Sequence, residues 1–234
     1  MLKRIIVKAL RTPPFPKLLI RPILKLHSFC YTVAGGMAIQ IENGVHPKHR
    51  IMRYKEWFLD NINKDDIVLD VGCNTGMMPE VMSQKVAFVY GIEIDPKLIR
   101  EAKAKRQKNN IEFICADATA YDYTKCRSIS CVTLSNVLEH IEHRVPFLKK
   151  LIEQINWQNE GNKKLLIRVP MIDREWITIY KKEMGVDYRL DPTHYTEYTY
   201  NQFKEELNNS GVNIIEYTIK FGEIYAVCRA EEKI

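Results

Sequence analysis

Short apolar segments alternate with helical patterns through the middle of this chain of 234 residues, and this alternation limits the fold more than any other feature. Five aliphatic-rich segments predict buried strands: 67–71, 86–94, 111–116, 129–134 and 165–169. Apolar residues at helical spacing lie between several of them, as over 96–109 and 144–156. Strands that alternate with helices form a parallel sheet with helices on both faces.

The end of the chain departs from this alternation. After a helix predicted over 199–209, two β-rich stretches, 213–219 and 224–229, are separated only by a short turn at Gly222. Strands connected so closely pair as an antiparallel hairpin. We therefore predict an α/β fold with a Rossmann-like, doubly wound sheet of seven strands. The sheet is mostly parallel with an antiparallel last strand, and a helical N-terminal arm precedes it.

The positive charge of the protein lies in that arm. The formal net charge is +6, yet residues 1–41 contain seven Lys and Arg side chains, and the first acidic residue is Glu42. The remaining residues contain 28 basic and 29 acidic side chains. A basic surface spread over the whole molecule, as in many nucleic-acid-binding proteins, is therefore excluded.

Within the arm, apolar and basic residues alternate at helical spacing over 1–11 and again over 17–26. Gly35-Gly36 predicts a turn, and the apolar spacing over 47–62 predicts one amphipathic helix. These features divide the chain into a basic helical arm or cap, residues 1–45, and one α/β domain, residues 46–234.

Acidic and glycine residues follow the predicted strands, where ligands of a doubly wound sheet bind. Asp70 ends the first strand and precedes the glycine turn Gly72–Gly76, while Glu93 ends the second strand and Asp117 the third. A carboxylate can accept both hydroxyls of a ribose at the second position, and the amino group of adenine at the third. A nicotinamide-binding G-x-G-x-x-G turn would need glycine at positions 74 and 77, which are Asn and Met here.

Four motifs carry a resemblance to a known family. They are V-L-D-V-G-C-N-T-G (68–76), Y-G-I-E-I-D-P (90–96), F-I-C-A-D-A (113–118) and V-T-L-S-N-V-L-E-H-I (132–141). Because these motifs occur in the order and at the spacing of that family, the chain resembles the class I S-adenosylmethionine-dependent methyltransferases over residues 65–234. The antiparallel last strand is also a trait of that family. The resemblance implies S-adenosylmethionine as the cofactor.

The resemblance also implies a role for each matching residue. The methionine end of the cofactor would be held by Asp70, Gly72, Cys73, Asn74 and Gly76, and Asn136 would lie under the methionyl group. Glu93 would bind the ribose and Ile94 would pack against the adenine ring. Asp117 and Ala118 would bind the amino edge of the adenine. The family usually has glycine where this chain has Asn74. The alternative for Asp70 and Asp117 is that each caps the helix that follows it.

The segment after the fourth strand bears on the acceptor. Family members that methylate amino groups of nucleic-acid bases have an (Asp/Asn/Ser)-Pro-Pro-aromatic turn there, whereas this chain has Ser-Asn-Val-Leu over 135–138. His140 is a candidate general base because an unperturbed histidine titrates near neutrality, and packing beside the cofactor is the alternative. Glu139 and His140 resemble part of the E-x-x-E-H metal cluster of ubiquinone-pathway O-methyltransferases. The first acid of that pattern is Asn136 here, so we predict no metal.

A long connection, residues 171–199, separates the fifth strand from the last long helix and predicts a lid over the active face. Its D-P-T-H segment resembles the D-x-x-H found before the last helix in small-molecule and sugar-modifying members. His194 is therefore a second candidate base or substrate-orienting residue. Arg168, Asp173 and Tyr195 are candidate substrate contacts, with ordinary surface exposure as the alternative for each.

We predict an S-adenosylmethionine-dependent methyltransferase that methylates a hydroxyl of a small molecule, glycan or lipid-linked precursor. The alternatives are a nicotinamide-dependent oxidoreductase, an RNA or protein methyltransferase that uses the basic arm, and a methyltransferase-like scaffold without activity.

The arm suits a cap over the cofactor pocket or a homodimer contact, and a peripheral contact with an anionic membrane through residues 1–27 is the alternative. Nucleic acid is not an expected partner. Cysteines without a C-x-x-C pair, and the lack of an apolar run long enough to cross a bilayer, predict a cytoplasmic protein. If the arm binds a membrane, we expect the protein at the inner, cytoplasmic face of that membrane.

Overall fold

Seven strands form one sheet in the computed structural model, which describes Arg4, Lys8 and residues 10–231. The strands are β1 (Ile67–Val71), β2 (Phe88–Glu93), β3 (Ile111–Cys115), β4 (Cys131–Ser135), β5 (Lys163–Pro170), β6 (Val212–Lys220) and β7 (Glu223–Ala230). Their order across the sheet is β3-β2-β1-β4-β5-β7-β6. The first five run parallel, and β7 pairs antiparallel with both β5 and β6. The predicted fold class is confirmed.

The middle of the sheet is buried on both faces. In β1, Leu69 and Val71 pack into one hydrophobic cluster, whereas Val68 packs into a second. Successive side chains of a strand point to opposite faces, so the two clusters lie on opposite sides of the sheet. This explains why the central strands have continuous apolar sequences rather than alternating ones.

Eight α-helices are described: α1 (Phe15–Ile41), α2 (Pro47–Met52), α3 (Tyr54–Asp60), α4 (Met77–Met82), α5 (Pro96–Lys105), α6 (Arg144–Gln154), α7 (Trp176–Glu183) and α8 (Tyr200–Asn209). Local chemistry sets several of their starts. Asp95 caps α5 by accepting a hydrogen bond from Lys97 N at 2.7 Å. Thr199 and Gln202 form a capping box at the start of α8.

Two compact units make up the described chain. One comprises Met52–Arg174 and the described residues from Asp191 onward, and it contains the whole sheet. The other comprises the described residues up to Ile51 together with Glu175–Leu190. The division of the chain at residue 45 stays a prediction. In the described part of the chain, we find no helix with the length and apolar character that a membrane span needs.

The turn predicted at Gly35-Gly36 is wrong, because α1 continues through both glycines to Ile41. A β-carbon on Gly35 would lie at an ordinary contact distance, 3.6 Å, from His46 Nε2, so no close approach in the described structure requires glycine there. The cost of glycine in a helix, about 1 kcal/mol, does not end a helix of this length. The helix predicted over 1–11 falls mostly outside the described residues.

Two further predictions of secondary structure need correction. The single helix predicted over 47–62 is divided into α2 and α3 at Arg53, whose φ of 52° is left-handed and cannot continue a helix. The long connection 171–199 is not a structureless loop, because it contains α7. Both features depend on backbone angles or packing that apolar spacing does not record.

Gly76 is the N-cap of α4 and has a φ of +79°, and a β-carbon there would lie 2.6 Å from Phe113 Cζ. We expect Gly76→Ala to lower the free energy of unfolding by about 2–4 kcal/mol, through left-handed strain and a steric clash. Gly211→Ala is the matched control, because its φ is +73° but no atom lies within 4 Å of the added carbon. It should cost only about 1–2 kcal/mol. Urea unfolding measures both, and equal losses would show that the Phe113 contact has no energetic effect.

Candidate functional site

A cavity of about 740 Å³ lies at the carboxyl ends of the parallel strands. Its volume is within the usual range for a small-molecule site, about 300–1,000 Å³. Nine of the residues predicted from the sequence line it: Gly72, Asn74, Glu93, Ile94, Asp117, Ala118, Asn136, His140 and Tyr195. The structure therefore brings together residues that lie up to 123 positions apart in the chain.

The glycine turn after β1 is held against the end of β2. Gly72 N and Cys73 N both donate to the backbone oxygen of Ile92, at 2.8 and 2.9 Å. Asn74 has a φ of 50°, a left-handed conformation that asparagine adopts more readily than most other side chains. This explains how asparagine can stand where the family usually has glycine.

Glu93 joins this turn to the loop after β2. Its carboxylate accepts hydrogen bonds from Asn74 N at 3.0 Å, Ile94 N at 2.8 Å and Asp95 N at 3.0 Å. A carboxylate has about four acceptor positions, so one remains for one hydroxyl of a bound ribose rather than for both. Glu93 thus shapes the pocket wall as well as contributing a charged acceptor.

The third strand supplies a different wall. Asp117 accepts from Thr119 N and Thr119 Oγ1, both at 2.8 Å, which holds the start of the following loop. Ile94 is 63% exposed at the pocket, an unusual position for a large aliphatic side chain unless a ligand covers it. The apolar side chain beside an acid suits a flat base with an amino edge.

Three predicted cofactor residues do not line the cavity. Asp70 is buried and accepts a hydrogen bond from Thr133 Oγ1 at 2.5 Å. Burial raises the pKa of Asp70 to about 7, despite the opposing effect of the Thr133 hydroxyl. Cys73 is also buried, and Gly76 is the N-cap of α4. Their positions support the turn from behind, and their contact with a ligand stays a prediction.

Asn136, after β4, lines the cavity with a φ of 55°. Its backbone N–H donates to Arg168 O at 2.8 Å. Its side-chain oxygen is buried and has no hydrogen-bond partner among the described residues. Buried amide oxygens are rarely left unpaired, so this oxygen is suited to a donor group of a ligand.

His140 lines the cavity and is held from behind by a polar chain. Thr193 Oγ1 lies 2.6 Å from Asp191 Oδ1 and 2.9 Å from His140 Nδ1. The hydroxyl has one proton, which the Asp191 carboxylate accepts, so the His140 Nδ1–H donates to Oγ1. The electron pair of the neutral ring then lies on Nε2. Burial and the neighbouring His194 both lower the pKa of His140, which favours that neutral form.

His194 is buried and lies against His140, with ring centroids 4.7 Å apart. Its Nδ1 is 3.0 Å from Glu197 Oε1, a buried carboxylate that can only accept. The Glu139 side chain is also fully buried, and burial raises the pKa of its carboxyl group to about 8. Sequence analysis placed the two histidines in separate segments, 54 positions apart, and did not bring them together.

Two predicted substrate contacts, Arg168 and Asp173, are not among the residues that line the cavity. Arg168 is buried, with Nε 2.7 Å from Glu223 Oε2 and its guanidinium 4.5 Å from the centre of the Tyr54 ring. Asp173 is exposed in a short 3₁₀ turn. Tyr195, the third, does line the cavity and is 62% exposed. A substrate contact by Arg168 or Asp173 stays a prediction.

Sequence reasoning missed several lining residues, including Phe147 and Lys150 of α6. Lys150 Nζ donates to Thr119 O at 2.8 Å. A helix in the sequence shows which face is apolar but not which strand end it reaches. The complete set has carboxylates, an unpaired amide oxygen and an apolar wall, which fits the ribose, amino-acid and base parts of S-adenosylmethionine.

Comparison with known proteins agrees with this assignment. Residues 69–154 match the family described as "Methyltransferase domain". The uncharacterized protein MJ1452 of Methanocaldococcus jannaschii is 26% identical over 179 residues, which cover 68% of this chain and 69% of that protein. Ribosomal RNA small subunit methyltransferase A of Syntrophus aciditrophicus is 25% identical over 88 residues, 37% of this chain and 31% of that protein.

A solved structure has the same fold. Magnesium protoporphyrin IX methyltransferase from Synechocystis PCC 6803, with bound SAH, aligns with a TM-score of 0.59 and 19% identity over 79% of this chain and 83% of that chain. Residues 69–154 are therefore a methyltransferase domain. The predicted enzyme class and cofactor of this methyltransferase domain are confirmed, and the nicotinamide alternative receives no support from these comparisons.

We expect Glu93→Gln to weaken binding of S-adenosylmethionine by about 10–100-fold, because hydrogen bonds to a charged acceptor contribute roughly 1.5–3 kcal/mol. The amide also places its own N–H groups against the backbone donors of the turn. Isothermal titration calorimetry measures the change. Glu112→Gln is the matched control, since Glu112 is exposed on β3 and does not line the cavity. Unchanged affinity in Glu93→Gln would contradict the ribose assignment.

Proposed function

We propose that the methyltransferase domain transfers a methyl group to a hydroxyl of a small molecule, a glycan or a lipid-linked precursor. The observation that carries this proposal is the position of His140, which lines the cofactor pocket while its Nδ1 lies 2.9 Å from Thr193 Oγ1 and burial lowers its pKa. A hydroxyl nucleophile must lose a proton during transfer, whereas an amine attacks with its own electron pair. A neutral histidine at the pocket therefore favours oxygen as the acceptor atom.

S-adenosylmethionine supplies a methyl group that is already activated by its sulfonium. The residues of this chain then have two tasks. Glu93, Asp117 and the turn after β1 hold and orient the cofactor, which supplies alignment rather than chemistry. His140, oriented by Thr193 and Asp191, acts on the hydroxyl of the acceptor, and His194 lies directly against it.

Methylation of RNA or protein is the alternative, because a curated relative is named as a ribosomal RNA methyltransferase. The chain covers 31% of the length of that relative, so its substrate does not transfer to this chain. The three residues after Ser135 are Asn-Val-Leu, not the Pro-Pro-aromatic sequence typical of enzymes that methylate amino groups of nucleic-acid bases. The hydroxyl acceptor remains the better-supported proposal.

Turnover of radiolabelled S-adenosylmethionine against fractionated cell extract tests the proposal. We expect a labelled product that is O-methylated, and a kcat about 10²–10⁴-fold lower in His140→Ala, the usual contribution of a general base. Affinity for the cofactor should stay close to that of the wild type. His46→Gln, outside the unit that contains the sheet, is the control. An N-methylated product, or full rate in His140→Ala, would contradict the proposal.

We also propose that α1 binds an anionic membrane surface. Phe15, Leu18, Pro22, Leu26, Phe29, Val33 and Met37 repeat at spacings of three and four, and all seven are exposed. They form one apolar stripe along a helix of 27 residues. Such an exposed stripe on a single helix is typical of interfacial amphipathic helices.

The charge of α1 favours an anionic lipid surface as the occupant of this stripe. Lys17, Arg21 and Lys25 follow one another at a spacing of four beside the stripe, and no acidic residue precedes Glu42. A second copy of the same helix would bring like charges together. An anionic lipid surface would instead attract each basic group by about 1 kcal/mol. Lipid is therefore the partner whose charge complements the helix.

Co-sedimentation with phosphatidylcholine vesicles, with and without phosphatidylserine, tests the contact. We expect binding to the anionic vesicles and at least about tenfold weaker partitioning for Phe29→Glu, which adds a charge to the stripe. Thr32→Glu adds the same charge outside the stripe and should retain most of the binding. The proposal is wrong if the wild type ignores anionic vesicles, or if it is a dimer in solution that Phe29→Glu converts to a monomer.

A further inference from the structure

We propose that Glu139, His140 and His194 bind a divalent transition-metal cation, and that this cation holds an oxygen atom of the methyl acceptor. The second half of the statement rests on the proposed function, whereas metal binding does not. Each of the three residues offers one ligand atom, and the three atoms lie within 4.8 Å of one another. Metal–ligand bonds to nitrogen and oxygen are about 2.0–2.2 Å, so two ligands of one ion lie up to about 4.4 Å apart.

Glu139 is the residue that most requires a partner. Its side chain has no exposed surface, and neither carboxylate oxygen has a hydrogen-bond partner among the described residues. A buried carboxyl group without a partner is costly, and native structures contain few of them. No hydrogen bond to the Glu139 carboxyl oxygens within the described residues offsets this cost. A cation beside two histidines would supply the missing partner.

The two histidines are oriented as metal ligands usually are. His194 Nδ1 lies 3.0 Å from the Glu197 carboxylate, and His140 Nδ1 lies 2.9 Å from the Thr193 hydroxyl. Both groups can accept from Nδ1–H, and a ring that donates from Nδ1 coordinates a metal through Nε2. A ligating histidine commonly donates its other ring N–H to a carboxylate or a similar acceptor, which sets the tautomer and the direction of the ring. The polar groups behind this cluster therefore serve metal binding as well as packing.

The ligand types indicate the class of metal and of acceptor. Two imidazoles and one carboxylate suit first-row transition ions such as Zn²⁺ or Fe²⁺ better than Mg²⁺, which prefers oxygen ligands. Three protein ligands leave coordination positions open. His140 lines the cofactor cavity, so an open position there faces the place where an acceptor would bind. An acceptor with two neighbouring oxygen atoms, such as a vicinal diol, could fill two open coordination positions of the cation.

This proposal revises the sequence-based expectation of no metal. That expectation considered only residues next to one another in the chain, where Asn136 replaces the first acid of the E-x-x-E-H pattern. The third ligand instead comes from the connection before α8, through His194. His140 would then act on the acceptor hydroxyl through the cation rather than directly.

Zn²⁺ titration of the full chain, after removal of metals with a chelator, tests the site by calorimetry without any cofactor or acceptor. We expect one Zn²⁺ per chain and at least about tenfold weaker binding in Glu139→Gln, His140→Ala and His194→Ala. Glu139→Gln is the sharpest variant, because it replaces the carboxyl group that would bind the metal with an amide of nearly the same shape. Without metal its melting temperature should equal or exceed that of the wild type, whereas a purely structural role for Glu139 predicts a fall.

His143→Ala is the matched control, because His143 is an exposed histidine in the same segment. It should leave the affinity for Zn²⁺ unchanged. Zn²⁺ binding that survives in Glu139→Gln, or that disappears only when the exposed Cys30 and Cys115 are replaced by serine, would overturn the proposal. If Zn²⁺ binds as expected but no hydroxyl acceptor is methylated, the proposed function fails and the metal site stands. If Zn²⁺ does not bind but an acceptor is methylated, the metal proposal alone is wrong.

Discussion

The backbone oxygen of Ile92 holds the turn after β1 against the end of β2, and the cofactor pocket depends on this attachment. Two consecutive N–H groups, those of Gly72 and Cys73, donate to that single oxygen, and the Glu93 carboxylate accepts the next one along, Asn74 N. Backbone N–H groups need hydrogen-bond partners, either in the protein or in water. The N–H groups of this turn find their partners on β2, so the ends of β1 and β2 together form one continuous wall of the pocket.

Buried acids around this wall are paired to different degrees. Asp70 accepts a hydrogen bond from Thr133, whereas both oxygens of Glu139 lack a hydrogen-bond partner among the described residues. Burial raises the pKa of both groups. A fold can tolerate such a group where a ligand completes the site, because ligand binding returns part of the free energy that burial costs. Asn136, whose buried side-chain oxygen has no hydrogen-bond partner among the described residues, lines the cavity, and Glu139 directly precedes the lining residue His140.

Sequence reasoning predicted the sheet and most of the cofactor side of the pocket, since those features follow local rules. Asp70, Glu93 and Asp117 each stand at the end of an apolar strand, and parallel strands bring such ends to one edge. Sequence reasoning failed where a feature depended on one backbone angle or on tertiary packing, which apolar spacing does not record. Arg53 divides a helix through one left-handed angle, and Gly35-Gly36 remains helical despite its low propensity. The helix α7 inside the predicted lid was missed for the same reason.

The sequence by itself determined the order of strands and helices, the acids at their ends and the separation of basic charge into the first 41 residues. These are properties of periodicity and composition. Only the tertiary structure decided that His194 stands against His140 beside the buried Glu139, and that Thr193 and Glu197 orient the two rings. The physical reason is that a connection of 29 residues can return to the sheet edge in many ways, and only packing selects one of them.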